Sequence, residues 1–147
     1  MKIHNPRHVA EVRKIAMEIS LFLFIPLIMV GCGESIDLDD KETRGKIIAE
    51  AVDQDKLRPR GKEGELAYLA NEQKPYTGWF KTMYDNGQVM LLGQCKDGKL
   101  MSAFAWKPNG KKCSVTNVKD GNGIIVVFND DGSERRRVAF NDGKRVN

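Results

Sequence analysis

Histidine is the scarcest of the side chains that could carry acid–base, nucleophilic or metal chemistry. The 147-residue chain has two, His4 and His8, both in its first eight positions. Cys32, Cys95 and Cys113 are its only thiols. Beyond residue 8 there is no imidazole to activate a Ser or Cys nucleophile or to ligate a metal. Asp130 and Asp131 are neighbours in sequence and point apart in a strand or turn, which is weak support for paired-carboxylate chemistry. "NVKDGNG" (117–123) and "NDDGS" (129–133) set Asp and Asn beside Gly, as calcium loops do. Neither continues with alternating oxygen ligands and a closing Glu, so both read as turns. The expectation is a non-enzymatic protein without cofactor or metal.

The elements that frame these residues begin at the N-terminus. Lys2, Arg7, Arg13 and Lys14 precede "LFLFIPLIMV" (21–30), and "GCGES" (31–35) follows. Ten residues of helix rise about 15 Å, half of a bilayer's hydrocarbon core, so the run is too short to span. A basic flank, a short apolar run and a small-residue exit describe a secretory signal. "MVGC" (29–32) resembles the lipobox of bacterial lipoproteins. That resemblance implies cleavage after Gly31, a lipid anchor on Cys32, and a place in the cell envelope; Gly33 in the next position favours the outer membrane. Several acyl chains, at ~0.8 kcal/mol per buried methylene, give stable anchoring.

Without residues 1–31, both histidines are gone and 116 residues remain, with 20 Lys/Arg against 18 Asp/Glu. So balanced a charge gives no nucleic-acid signal, and the length suits one small domain. The expected organisation is a signal peptide over 1–31, a tether over 32–39, an amphipathic helix and linker over 40–61, and a β-meander over 62–147. Asp39 with Glu42 three residues on has the form of a capping box, and Ile47, Ile48, Ala51 and Val52 make an apolar stripe. These predict a helix from about 40 to 57, stopped by Pro59 and Gly61 and weakened by Gly45. "ELAYLA" (65–70) and "YTGWFKTMY" (76–84), split by the turn residues of "NEQKP", predict a leading hairpin.

From residue 85 a phrase repeats: "DNGQVMLLGQCKDGK" (85–99), "PNGKKCSVTNVKDGN" (108–122) and "DDGSERRRVAFNDGK" (130–144). Gly87 to Gly98, Gly110 to Gly121 and Gly132 to Gly143 are each eleven residues apart, and the returns are twelve and eleven. Asn-Gly and Asp-Gly favour tight hairpin turns, and the spacing leaves about eight or nine residues per strand. The fold class predicted is mainly β: an antiparallel meander of six to seven strands, preceded by one short helix and the signal segment. Cys95, Val118 and Phe140 recur at one place in the phrase, and Tyr84, Trp106 and Phe128 at another, as core positions would.

"PYTGWFKTMYDNGQVMLLGQCKDGK" (75–99) resembles the degenerate MORN-type repeat of YwqK-like antitoxin proteins. Gly78, Trp79, Tyr84, Asn86, Gly87, Gln88, Lys96, Asp97, Gly98 and Lys99 carry the first match. Trp106, Asn109, Gly110, Lys111, Lys119, Asp120 and Gly121 carry the second, and Gly123, Phe128, Gly132, Asp142, Gly143 and Lys144 the third. The resemblance implies stacked hairpins. Its family name implies neutralisation of a toxin, and MORN-type proteins also suggest attachment to membrane or polysaccharide.

Cys95 and Cys113 flank a whole intervening strand, about 9.6 Å apart, and are expected as free thiols. Arg135, Arg136 and Arg137 read either as an anionic-partner patch or, preferably, as a charged sheet edge that blocks aggregation. One short helix cannot cover both faces of a sheet, so Trp79, Tyr84 and Trp106 are the candidate binding face, beside Tyr76 and Phe104; the competing reading puts them in the core. The function expected is that of a membrane-anchored, protein-binding module.

Overall fold

The helix is shorter than its apolar stripe predicts. In the computed structural model, which describes residues 36–62 and 64–146, α1 spans Lys41–Glu50. The signal segment and Cys32 lie outside the described residues. Asp40, not Asp39, caps the helix: its carboxylate accepts the Thr43 N–H at 2.7 Å. Asp39 pairs instead with Lys112 at 2.9 Å. Helical period continues in the sequence past Glu50, but β1 (Val52–Asp53) is drawn into a sheet, parallel to β4 (Gly78–Met83) with Val52 opposite Phe80. Tertiary pairing overrides local propensity here. The amine of Lys81 on β4 then donates to the Ile48 carbonyl at 2.9 Å, a cation at the negative end of the helix.

A 3₁₀ turn at Gln54–Lys56 leads into β2 (Leu57–Arg60), which pairs antiparallel with β3 (Leu66–Leu69). The leading hairpin therefore joins residues expected as linker to "ELAYLA", and β3 is not the hairpin partner of β4. β4 (Gly78–Met83), β5 (Val89–Lys96) and β6 (Lys99–Ala105) follow as an antiparallel meander, giving the sheet order β1-β4-β5-β6. A third sheet has the order β7-β8-β9, from Gly123–Phe128, Glu134–Asn141 and Lys144–Val146. The fold is mainly β, with one short helix and several sheets.

The predicted run of long strands is interrupted between β6 and β7. "SVTNV" makes no regular strand; Trp106–Lys112, Ala103–Val118 and Lys119–Asn122 are isolated bridges. Side chains take over the ladder. Asn117 Oδ1 accepts the Ile124 N–H and Thr116 Oγ1 accepts the Val126 N–H, each at 3.0 Å. Short polar side chains compete with backbone carbonyls in this way, and the interruption divides the meander into two sheets.

The six recurring glycines sort into two turn chemistries. At Gly87, Gly110 and Gly132 only the glycine has positive φ, and the N–H of Tyr84, Lys107 or Asn129 reaches the carbonyl four residues on. These are three-residue loops closed by a glycine bulge. Asn86, Asn109 and Asp131 each accept the backbone N–H two residues later. At Asp97-Gly98, Asp120-Gly121 and Asp142-Gly143 both residues have positive φ, the type I′ arrangement. These second turns are laced together: Gly143 N–H donates to the Gly121 carbonyl at 2.8 Å and Gly121 N–H to Met101 at 2.9 Å.

Residues Ser35–Asn147 form one compact unit, with apolar clusters on both faces of the β4–β6 sheet. On one face Phe80, Leu91, Cys95, Leu100, Ala103 and Ala105 pack with Ile125, Val126 and Phe128 of β7. The Phe80 ring lies over Gly93, where a Cβ would come within 2.2 Å of it. On the other face Leu92 and Trp106 pack with Leu38, Ala51, Ile47 and Ile48, so the short helix does cover part of that side.

Candidate functional site: a groove with an apolar floor and a cationic rim

The aromatic residues singled out in the sequence are mostly not displayed. Tyr84 is 4% exposed and Trp106 1%, both inside the core. Tyr84 Oη donates to the Trp106 carbonyl at 2.8 Å, and burial pushes its phenol pKa up. Trp106 Nε1 is the one buried side-chain polar atom among the described residues that lacks a partner. Trp79 alone of the three is half-buried, with its ring 6.4 Å from that of Phe104. The expected face of Trp79, Tyr84 and Trp106 is thus corrected: two of these three aromatics go into the core of a small sheet.

The concave feature lies on the opposite side of the β4–β6 sheet. A groove of about 660 Å³ runs between that sheet, the β2–β3 hairpin and the β7–β9 sheet. Leu57, Phe80, Leu91, Leu100, Ile125 and Val127 supply an apolar floor. Pairing explains the wall formed by β7 and β8: Ile125 stands opposite Val138 and Val127 opposite Arg136, so all four share one face. Phe140 continues that face and is paired with Arg145 of β9.

The rim is basic. Arg58, Arg135, Arg136, Lys144 and Arg145 line the groove. Strict alternation would send Arg135 away from it, but the register shifts between Val127 and Phe128, leaving Arg135 as the extra residue of a bulge. A bulge re-aims a side chain in this way. Arg137 goes to the other face and is held by Glu134 through two bonds, at 2.6 and 2.9 Å. Among the described residues Arg135, Arg136 and Arg145 make no ion pair. Arg58 donates to the backbone carbonyls of Asp55 and Leu57. Arginines stay charged at any ordinary pH, so the rim holds a fixed positive field over an apolar trough. Glu65 is the acidic residue in the lining.

The edge reading of the Arg run keeps some force. β9 covers β8 only from Ala139 to Asn141, so the outer side of Glu134–Val138 carries no strand among the described residues. Sequence reasoning missed Arg58, Lys144 and Arg145, which are scattered along the chain. The Arg triplet was its one visible signal.

No family model, curated protein or solved structure matches this chain.

The groove offers guanidinium groups and apolar side chains, the means of anion and apolar contact. Cys95 borders it, but burial raises its thiol to about 11, so it stays protonated and unreactive at neutral pH. Cys95 and Cys113 are both buried free thiols. Among the described residues no group of three or more His, Cys, Asp or Glu could hold a metal ion, and no helix is long and apolar enough to cross a membrane.

Proposed function

We propose that the protein is a non-enzymatic, protein-binding module of the bacterial cell envelope, lipid-anchored through Cys32, with the groove as its binding site. The observation that carries the binding reading is the groove itself: an apolar trough of about 660 Å³ whose rim arginines have no carboxylate partner among the described residues. Apolar concavities edged by a few convergent polar groups are the usual form of a binding site. The anchoring half rests on the sequence "MVGC". The MORN-like reading of the repeat region is supported by the two turn chemistries, each used three times at the same points of the phrase.

A crosslinked pull-down from envelope membranes with the full chain tests this reading. Wild type is expected in the membrane fraction with a protein partner. Cys32→Ala is expected to leave the membrane, and Val138→Trp, which fills the trough, to lose the partner. Retention of the partner by Val138→Trp would overturn the groove as the site.

A further inference from the structure

We infer that the occupant of the groove is an extended, acidic polypeptide segment that adds as a strand to the free edge of β8 at Glu134–Val138. This rests on the groove being the binding site and names what that site takes. Three observations point the same way.

The first is the open backbone. β8 pairs with β7 along its length but with β9 only at Ala139–Asn141. The remaining outer N–H and C=O groups of Glu134–Val138 have no backbone partner among the described residues. An unpaired edge of this kind is a template for one more strand, with main-chain bonds giving affinity and pockets for alternate side chains giving selectivity.

The second is which side chains flank that edge. Arg136 and Val138 face the trough, and Phe140 with its neighbour Arg145 continues the same row. A strand laid on the open edge lies beside Arg136 and Val138 and runs up to the end of β9, so it meets a cation, then an apolar side chain, and at its far end the Phe140–Arg145 pair. The complementary segment carries a carboxylate opposite Arg136, an apolar side chain opposite Val138, and a second carboxylate that the long Arg145 side chain reaches. Those carboxylates are four residues apart, about 13 Å in an extended chain. Arg135, re-aimed by the bulge, adds to the first of these contacts.

The third is where the cations are not. On the β8–β9 row they stand at both ends, Arg135 and Arg136 at one and Arg145 at the other, rather than clustering at one end; Arg58 is on β2. A fatty acid or a phospholipid offers one anionic head and needs one cationic end. An extended peptide offers charges at intervals. The chain's own acidic stretch, "SIDLDD" (35–40), has a fitting composition but is engaged elsewhere, with Leu38 buried against Trp106 and Asp39 on Lys112.

The test measures binding by the full chain, in non-ionic detergent, of a fluorescein-labelled nonapeptide with aspartates four residues apart and leucine midway. Arg136→Glu and Arg145→Glu change exposed side chains and are compared with wild type, with circular dichroism to verify folding. Wild type is expected to bind, each reversal to weaken binding at least tenfold, and a peptide with asparagine for both aspartates to weaken it equally. Main-chain pairing is read separately: N-methylation of the peptide at alternate residues abolishes binding in one phase and not in the other. No binding of the acidic peptide, binding indifferent to both reversals, or tighter binding of oleate or phosphatidylglycerol, presented in mixed micelles of the same detergent, than of the peptide would each overturn the inference. If the pull-down still yields a groove-dependent partner, the proposed function survives that loss.

Discussion

The hydroxyl of Tyr84 donates to the carbonyl of Trp106 at 2.8 Å, joining the aromatic that precedes one Asn-Gly turn to the aromatic that precedes the next. Two residues on, Asn86 Nδ2 repeats the link to the Pro108 carbonyl at 3.0 Å. Successive phrases of the sequence are thus pinned to one another at corresponding positions, which ties the chain just beyond β4 to the chain just beyond β6 in the wall of the groove.

Tyr84→Phe removes the donor and leaves a buried carbonyl unsatisfied, a loss of about 1–3 kcal/mol. Urea unfolding monitored by tryptophan fluorescence is expected to show the midpoint falling with an unchanged slope. An unaltered midpoint would remove this bond from the account of the wall.

The two turn classes differ in tolerance. At Gly121, φ is +79° and an added Cβ would lie 2.5 Å from the Gly143 backbone nitrogen; at Gly132, φ is +83° with nothing within 4 Å. Gly132→Ala bears only the left-handed strain, roughly 1–2 kcal/mol. Gly121→Ala bears that and a backbone collision, so its loss in denaturant unfolding is expected to exceed that of Gly132→Ala by more than about 1 kcal/mol.

Cys95 is held protonated by burial, with a thiol near 11 against an ordinary 9.0. That difference alone leaves about a hundredfold less thiolate at neutral pH. Iodoacetamide labelling followed by peptide mass mapping is expected to modify Cys95 slowly in the folded protein and readily in urea. Rapid labelling of the folded state would show the floor of the groove to be more open than the structure has it.

Four exposed carboxylates sit below their ordinary values through hydrogen bonds: Asp40 from Thr43, Asp131 from Ser133, Glu134 from Arg137 and Asp142 from Lys99. The unfolded chain therefore takes up these protons first as pH falls, and the stability they contribute is present above the ordinary values of 3.8 and 4.5 and lost below them. Thermal unfolding is expected to show Tm flat from pH 7 to about 5 and falling as pH drops through that window. Asp142→Asn is expected to reduce the drop slightly, since solvent screens an exposed pair.

How much of this was legible in the sequence depends on the range of the interaction. Asn-Gly and Asp-Gly specify their turns from within a few residues, and all six glycines stand at turns. The recurring positions Tyr84, Trp106, Cys95 and Val118 are all buried, as large or apolar side chains repeated at one place in a phrase are expected to be. Phe128 is buried too, while Phe140 is only partly so and sits in the groove wall. Non-local events were not legible. The strand at Val52 that cuts the helix short depends on β4, which lies almost thirty residues away. Thr116 and Asn117 replace backbone acceptors only because β7 comes alongside. The groove draws Arg58 and Arg145 together from opposite ends of the domain, and Arg135 joins them through a bulge that strict alternation forbids.

Photocrosslinking reads the groove most directly. A photoreactive phenylalanine replaces either Pro59, exposed on the groove wall, or Val115, exposed away from its lining, in the full chain on envelope membranes. A protein adduct at position 59 and none at 115 is the result predicted. An adduct at 115 with none at 59 would contradict the account.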